Sequence, residues 1–101
     1  MNVISRQAIL KAAAKHPEGA SWLHNWYAVA KKAEWTNLHD VRAVYQAADQ
    51  VGGCLIFNAP QGHRLVVGII YATEQKGGTI FIKHYLTHAE YDKESWKKDC
   101  A

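Results

Sequence analysis

The chain has 101 residues, of which 49% are apolar and 21% charged, with a net charge of +3. That composition excludes a disordered chain. The length allows one hydrophobic core and not two, so a single domain over 1–101 is expected. No apolar run reaches the roughly 20 residues that span a bilayer, and Lys11, Lys15 and His16 break up the early apolar residues, so no signal peptide is expected. The expected setting is soluble and cytoplasmic, with no membrane contact. Cys54 and Cys100 stand far apart with no CxxC or CxxH pair, which suggests neither a zinc site nor a disulfide framework.

Asn2-Val3-Ile4 fits an edge strand or the lead-in to a helix. Ser5 can cap a helix over 6–15, where Ala8, Ile9, Ala12 and Ala13 make an apolar stripe. Pro17 and Gly19 punctuate it. A second helix over about 20–34 places Trp22, Trp26, Val29 and Ala33 on one side, widened by Leu23, Tyr27 and Ala30. The two form a helical hairpin, and Trp35 just beyond it reads as a packing anchor. Asn37 can cap a short turn through Tyr45, and 49–53 reads as loop. From Cys54 the period changes: a strand over 54–58, a turn at Ala59-Pro60-Gln61-Gly62, a long strand from His63 to Thr73, a turn over 75–78, and a third strand from Thr79 to Tyr85. Nearly continuous apolar character implies that both faces of this meander are at least partly covered. The hairpin covers one; a segment after Thr87, helical to about Trp96, packs near the other.

The stretch Thr87-His88-Ala89-Glu90-Tyr91-Asp92 concentrates an imidazole, a phenol and carboxylates just after the last strand. With Thr87 and Glu90 forming a capping box, His88, Tyr91 and Asp92 share one helix face. Asp92 is then either an orienter of His88 or part of the cap. Charge placement points the same way. Between Cys54 and His88 the only acid is Glu74, against Arg64, Lys76 and Lys83, so the sheet region suits an anionic ligand. Alternation puts Arg64 on a face with Val66 and Gly68, where it pairs with an acid, reaches solvent or awaits an anion. Lys83 and His84 fall on opposite faces unless their strand bulges. His63 reads as a turn residue, and His16, His24 and His39 as surface positions.

Together these groups match metal-free RNA cleavage, in which the 2′-hydroxyl attacks its own phosphate. That reaction needs a base, an acid and cations on the phosphorane. Arg64 and Lys83 can supply cations and His88 can move protons near neutrality. Tyr91 can stack on a base or donate a proton. A DNA-binding reading is weaker, because no helix-turn-helix with a basic recognition helix is present.

His16-Pro17, Trp26-Tyr27, Ala30-Lys31-Lys32-Ala33-Glu34-Trp35, Asp49-Gln50-Val51-Gly52, Phe57-Asn58, Arg64-Leu65-Val66 and Thr87 to Lys93 occur in an order that resembles the HigB family of type II toxin–antitoxin toxins, within the RelE-like superfamily. The resemblance implies an α+β, RelE-like fold: an N-terminal helical hairpin packed on a small twisted, mainly antiparallel sheet, with a short C-terminal helical segment. It implies an endoribonuclease that cuts mRNA on the ribosome and arrests translation and growth. A HigA-type helix-turn-helix antitoxin is the implied partner, and no cofactor or metal is implied. The family's catalytic positions fall on Arg64, Lys83, His88 and Tyr91; Asn58, His63, His84 and Asp92 are expected, apart from the family pattern, as secondary RNA contacts. The alternative is a non-catalytic module of the same fold that binds RNA or antitoxin. The chain departs from the pattern at Lys83, where arginine is expected, at the turn 59–62 and at His63, where tyrosine is common. Gly53-Cys54 also lacks a nearby basic residue, and His84 is unmarked by the family pattern.

Overall fold

The early apolar stripe becomes helix where the sequence provides a start and a stop. In a computed structural model describing residues 1–101, α1 runs Arg6–Lys15 and α2 Ala20–Lys32. The Ser5 hydroxyl accepts from the Ala8 amide to cap α1, and a 3-10 turn at Pro17–Gly19 reverses the chain between the helices. Ile9 and Ala13 on α1, with Leu23, Trp26 and Ala30 on α2, form the buried side of this hairpin. Trp35 is buried and stacks on Phe57 with ring centres 6.2 Å apart, as befits an anchor. A third helix, α3, spans Leu38–Arg42, and the Asn37 side chain caps it at the Asp40 amide.

The sheet has five strands rather than three. They are β1 (Asn2–Ile4), β2 (Asp49–Val51), β3 (Cys54–Asn58), β4 (Arg64–Ile70) and β5 (Thr79–Leu86), in the order β1-β5-β4-β3-β2. β1 takes the strand alternative at an edge, parallel to β5, and all other pairings are antiparallel. The segment 49–53, expected as loop, is instead β2 and a tight turn into β3. Gly52 makes that turn with φ +56, a conformation open to glycine. A side chain there would also collide with the Cys100 carbonyl.

Leu55, Phe57, Leu65, Val67 and Ile80 face the helices and complete the larger core. Cys54, Ile56 and Val66 face the other way, where Trp96 and Cys100 cover them. The helices cover one face, and the tail covers the β3 side of the other, while Ile4, Ile70 and Phe81 at the far end stay exposed. The cover differs from the expected continuous helix: α4 stops at Asp92 (His88–Asp92), Glu94 turns left-handed at φ 61, and a 3-10 helix follows over Ser95–Cys100.

The cysteines overturn the expectation of no disulfide. Cys54 and Cys100 are bonded, with their α-carbons 5.2 Å apart, and the Gly53 amide donates to the Cys100 carbonyl at 2.7 Å. The bond closes a loop of 46 residues and clamps the tail to the sheet. Cys100→Ser should lower unfolding free energy by about 2–4 kcal/mol. Urea titration with and without reductant checks this: reductant should weaken the parent chain and leave the variant unchanged.

Candidate active site

One irregularity sets the polar face. Val66 pairs with His84 and Val67 with Ile82, so Lys83 is an extra residue in β5. This bulge breaks strict alternation. His84 stays on the face of Val66, and Lys83 also lies over it, since a side chain on Gly68 would meet the Lys83 Cε at 2.9 Å. Gly68 is therefore the floor that lets the lysine cross the sheet. Lys83 and His84 consequently share the face of Arg64, the condition under which one ligand can reach both.

At the start of β4, Arg64 pairs with no acid. Its Nη1 donates to the Gly62 carbonyl at 2.8 Å and the His63 carbonyl at 3.1 Å. Its guanidinium carbon lies 5.2 Å from the centre of the Tyr91 ring. Trp96 stacks on Tyr91, ring centres 5.0 Å apart, and its indole N–H donates to the Tyr91 carbonyl. The fork is thus oriented by carbonyls and an aromatic, with no carboxylate set against it.

The helix after β5 forms as its sequence requires. Thr87 Oγ1 accepts from the Glu90 amide, and Glu90 Oε1 accepts from the Thr87 amide, completing a capping box. These bonds hold the Glu90 carboxyl below its ordinary range, the backbone bond contributing most. On that helix His88 Nε2 lies 3.2 Å from the Asp92 carboxylate, so Asp92 faces His88 and takes no part in the cap. Arg64 and His88 meet at Gly62: the arginine binds its carbonyl, and a side chain on that glycine would start 3.5 Å from the His88 Cβ.

Farther along the same face His84 Nε2 lies 2.7 Å from Asp99. The two border an open cleft of about 320 Å³, lined also by Leu86, Glu90, Lys93 and Lys98. Hydrogen bonding to His84 is the main cause of a lowered Asp99 pKa; slight desolvation opposes it, and His84, Lys98 and Lys83 add attraction. A depressed carboxyl pKa means that the contact is fully present above the ordinary aspartate value of 3.8 and is lost as pH falls through the lower, folded value. A carbon-13 titration should place the Asp99 midpoint below 3.8 in the parent chain and return it upward in His84→Ala.

The structure thus gathers Arg64, Tyr91, His88 and Asp92 around Gly62, with Lys83, His84 and Asp99 along the same face. Asn58 is exposed and directly opposite Arg64 in the β3–β4 register. His63 does not join them. Expected as an RNA contact, it is only 6% exposed and faces the helix side, where its Nδ1 lies 3.1 Å from the Tyr85 hydroxyl. Asp99 and Trp96 were missed as site residues, because their sequence neighbours show only a charged tail and their partners lie across the fold.

A family model described as HigB_toxin, the RelE-like toxic component of a toxin–antitoxin system, matches residues 20–94, from the second helix through the capping-box segment. The chain belongs to the HigB toxin family. It is also 26% identical over 96 residues to an mRNA interferase HigB of Escherichia coli O6:H1 (strain CFT073), covering 92% of this chain and 90% of that protein. The α+β fold with its mainly antiparallel five-stranded sheet agrees with a RelE-like toxin. No helix is long and apolar enough to cross a membrane.

Proposed function

We propose that this chain is a toxin that cleaves mRNA by attack of the 2′-hydroxyl on the adjacent phosphate, acting as a single RelE-like unit over residues 1–101. The supporting observation is the β5 bulge, which sets Lys83 and His84 on the face of Arg64. Arg64 and Lys83 hold the phosphate oxygens and neutralise charge that grows on the phosphorane. His88, oriented by Asp92, and Tyr91 serve the proton transfers at the end of the sheet. The proton leaves the 2′-oxygen to a base, an acid protonates the departing 5′-oxygen, and the products are a 2′,3′-cyclic phosphate and a 5′-hydroxyl. Trp96 and the guanidinium already occupy much of the Tyr91 ring surface, so its hydroxyl, rather than base stacking, is its contribution. His84, held by Asp99, contacts the RNA beside the cleft, and Asn58 contacts it from the opposite strand.

The reaction draws its cations from side chains and uses no metal. Asp99, Glu90 and Asp92 each already face a protein donor. The substrate is mRNA engaged by the ribosome in the cytoplasm, and a HigA-type helix-turn-helix antitoxin restrains the toxin. Similarity to an mRNA interferase HigB supports the enzyme reading over a module that binds without cutting. Primer extension on cellular mRNA after induction without antitoxin tests it. Discrete new 5′ ends that vanish in His88→Ala are expected, whereas growth arrest with intact transcripts would establish the binding module instead.

A further inference from the structure

Away from the RNA-facing side, three side chains converge with no role in the chemistry above. His16 follows α1, Glu18 lies in the 3-10 turn after it, and His63 is the residue just before β4. One ligand atom from each falls within 4.8 Å of the others. His16 Nδ1 lies 3.5 Å, and His63 Nε2 3.7 Å, from the same Glu18 oxygen. Those separations are too long for good hydrogen bonds. They are close to the roughly 3.3 Å between neighbouring ligand atoms placed tetrahedrally at ~2.0–2.1 Å from zinc.

We propose that His16, Glu18 and His63 form a structural site for a divalent first-row transition ion, Zn²⁺ foremost. Two imidazoles and a carboxylate are the ligand chemistry such ions take, and they disfavour Mg²⁺ and Ca²⁺, which prefer oxygen alone. Burial supports it: the His16 and His63 side chains are only 12% and 8% exposed, while Glu18 at 42% leaves an opening for a water as fourth ligand. His16 would ligate through Nδ1, the nitrogen facing Glu18; its other nitrogen, Nε2, is buried without a protein partner and is not met by the ion. The Tyr85 hydroxyl supplies an outer contact, at 3.1 Å from His63 Nδ1, of the kind that fixes a ligating ring and its tautomer. The ion would tie the hinge of the helical hairpin to the turn that starts β4, one residue before Arg64.

The test uses the full chain, freed of metal by chelator and then of the chelator, and titrated with Zn²⁺ alone by calorimetry and with Co²⁺ alone by visible absorption. One saturable site is expected, with cobalt bands of tetrahedral intensity and no thiolate charge-transfer band, together with a rise in Tm. Loss of an outer contact costs roughly 10–100-fold in metal affinity. Tyr85→Phe should therefore weaken binding about tenfold, and Glu18→Gln and His63→Gln by more than about 100-fold. His84→Ala and His88→Ala, the other carboxylate-facing histidines, should bind zinc like the parent. Glu18 is surface-accessible, so Glu18→Gln keeps the test valid if the buried-histidine variant misfolds. Absence of a saturable site in the parent chain, or parental affinity in Glu18→Gln, overturns the proposal.

Discussion

Arg64→Ala is expected to lower kcat/KM for RNA cleavage by roughly 10²–10³-fold, the scale of losing one preorganised donor to a developing oxyanion. The fold should survive. Arg64 enters no ion pair, and the substitution removes its two hydrogen bonds to the carbonyls of Gly62 and His63, a loss of about 1–2 kcal/mol. Arg64→Lys should recover only part of the rate. A lysine restores the charge but not the planar fork that grips two phosphate oxygens while resting near an aromatic ring. Expression without antitoxin gives the cellular readout, in which Arg64→Ala and His88→Ala should both relieve growth arrest. Circular dichroism establishes that each variant is folded, and full toxicity from both folded variants would sink the proposed site.

Trp26→Ala should cost about 3–5 kcal/mol of stability, a large part of the roughly 5–15 kcal/mol that holds a domain together. Trp26 is fully buried where the helical hairpin meets the sheet, edge-on to Phe57 with ring centres 5.4 Å apart. Removing it takes away both apolar burial and that aromatic contact. The indole has one weakness: its Nε1 is buried with no acceptor. Trp26→Phe keeps most of the ring and discards that unsatisfied donor, whose burial costs about 1–3 kcal/mol. It should therefore lie much nearer the parent than Trp26→Ala. Urea midpoints at constant m-value measure both. A Phe variant as unstable as the Ala variant would show that the full volume of the indole, rather than aromatic burial, governs this position.

The site residues outside these two variants divide by how far away their partners lie. Thr87 and Glu90 are three residues apart, and their reciprocal bonds follow from type and spacing. So do the cap at Ser5, the span of α1, and the His88–Asp92 pair at helical spacing. The side of the sheet to which Lys83 belongs is a different matter, because one inserted residue in strand register reverses it. That bulge depends on how β5 packs against β4, with Gly68 leaving room, and no local pattern around Lys83 announces it. His63 is similar: as a turn residue it points to no face, and only the hairpin carrying His16 and Glu18 makes its direction meaningful.

Periodicity and caps were enough to foretell the helical hairpin, the apolar strands at least partly covered on both faces, and the capped helix with its imidazole and phenol. These are short-range signals, written within one or two turns of chain. The joining of Cys54 to Cys100, of His84 to Asp99, and of His16 and Glu18 to His63 came only with the tertiary structure. Each pair is separated by 15 to 47 residues, and such contacts depend on register and packing direction, to which local preference is blind.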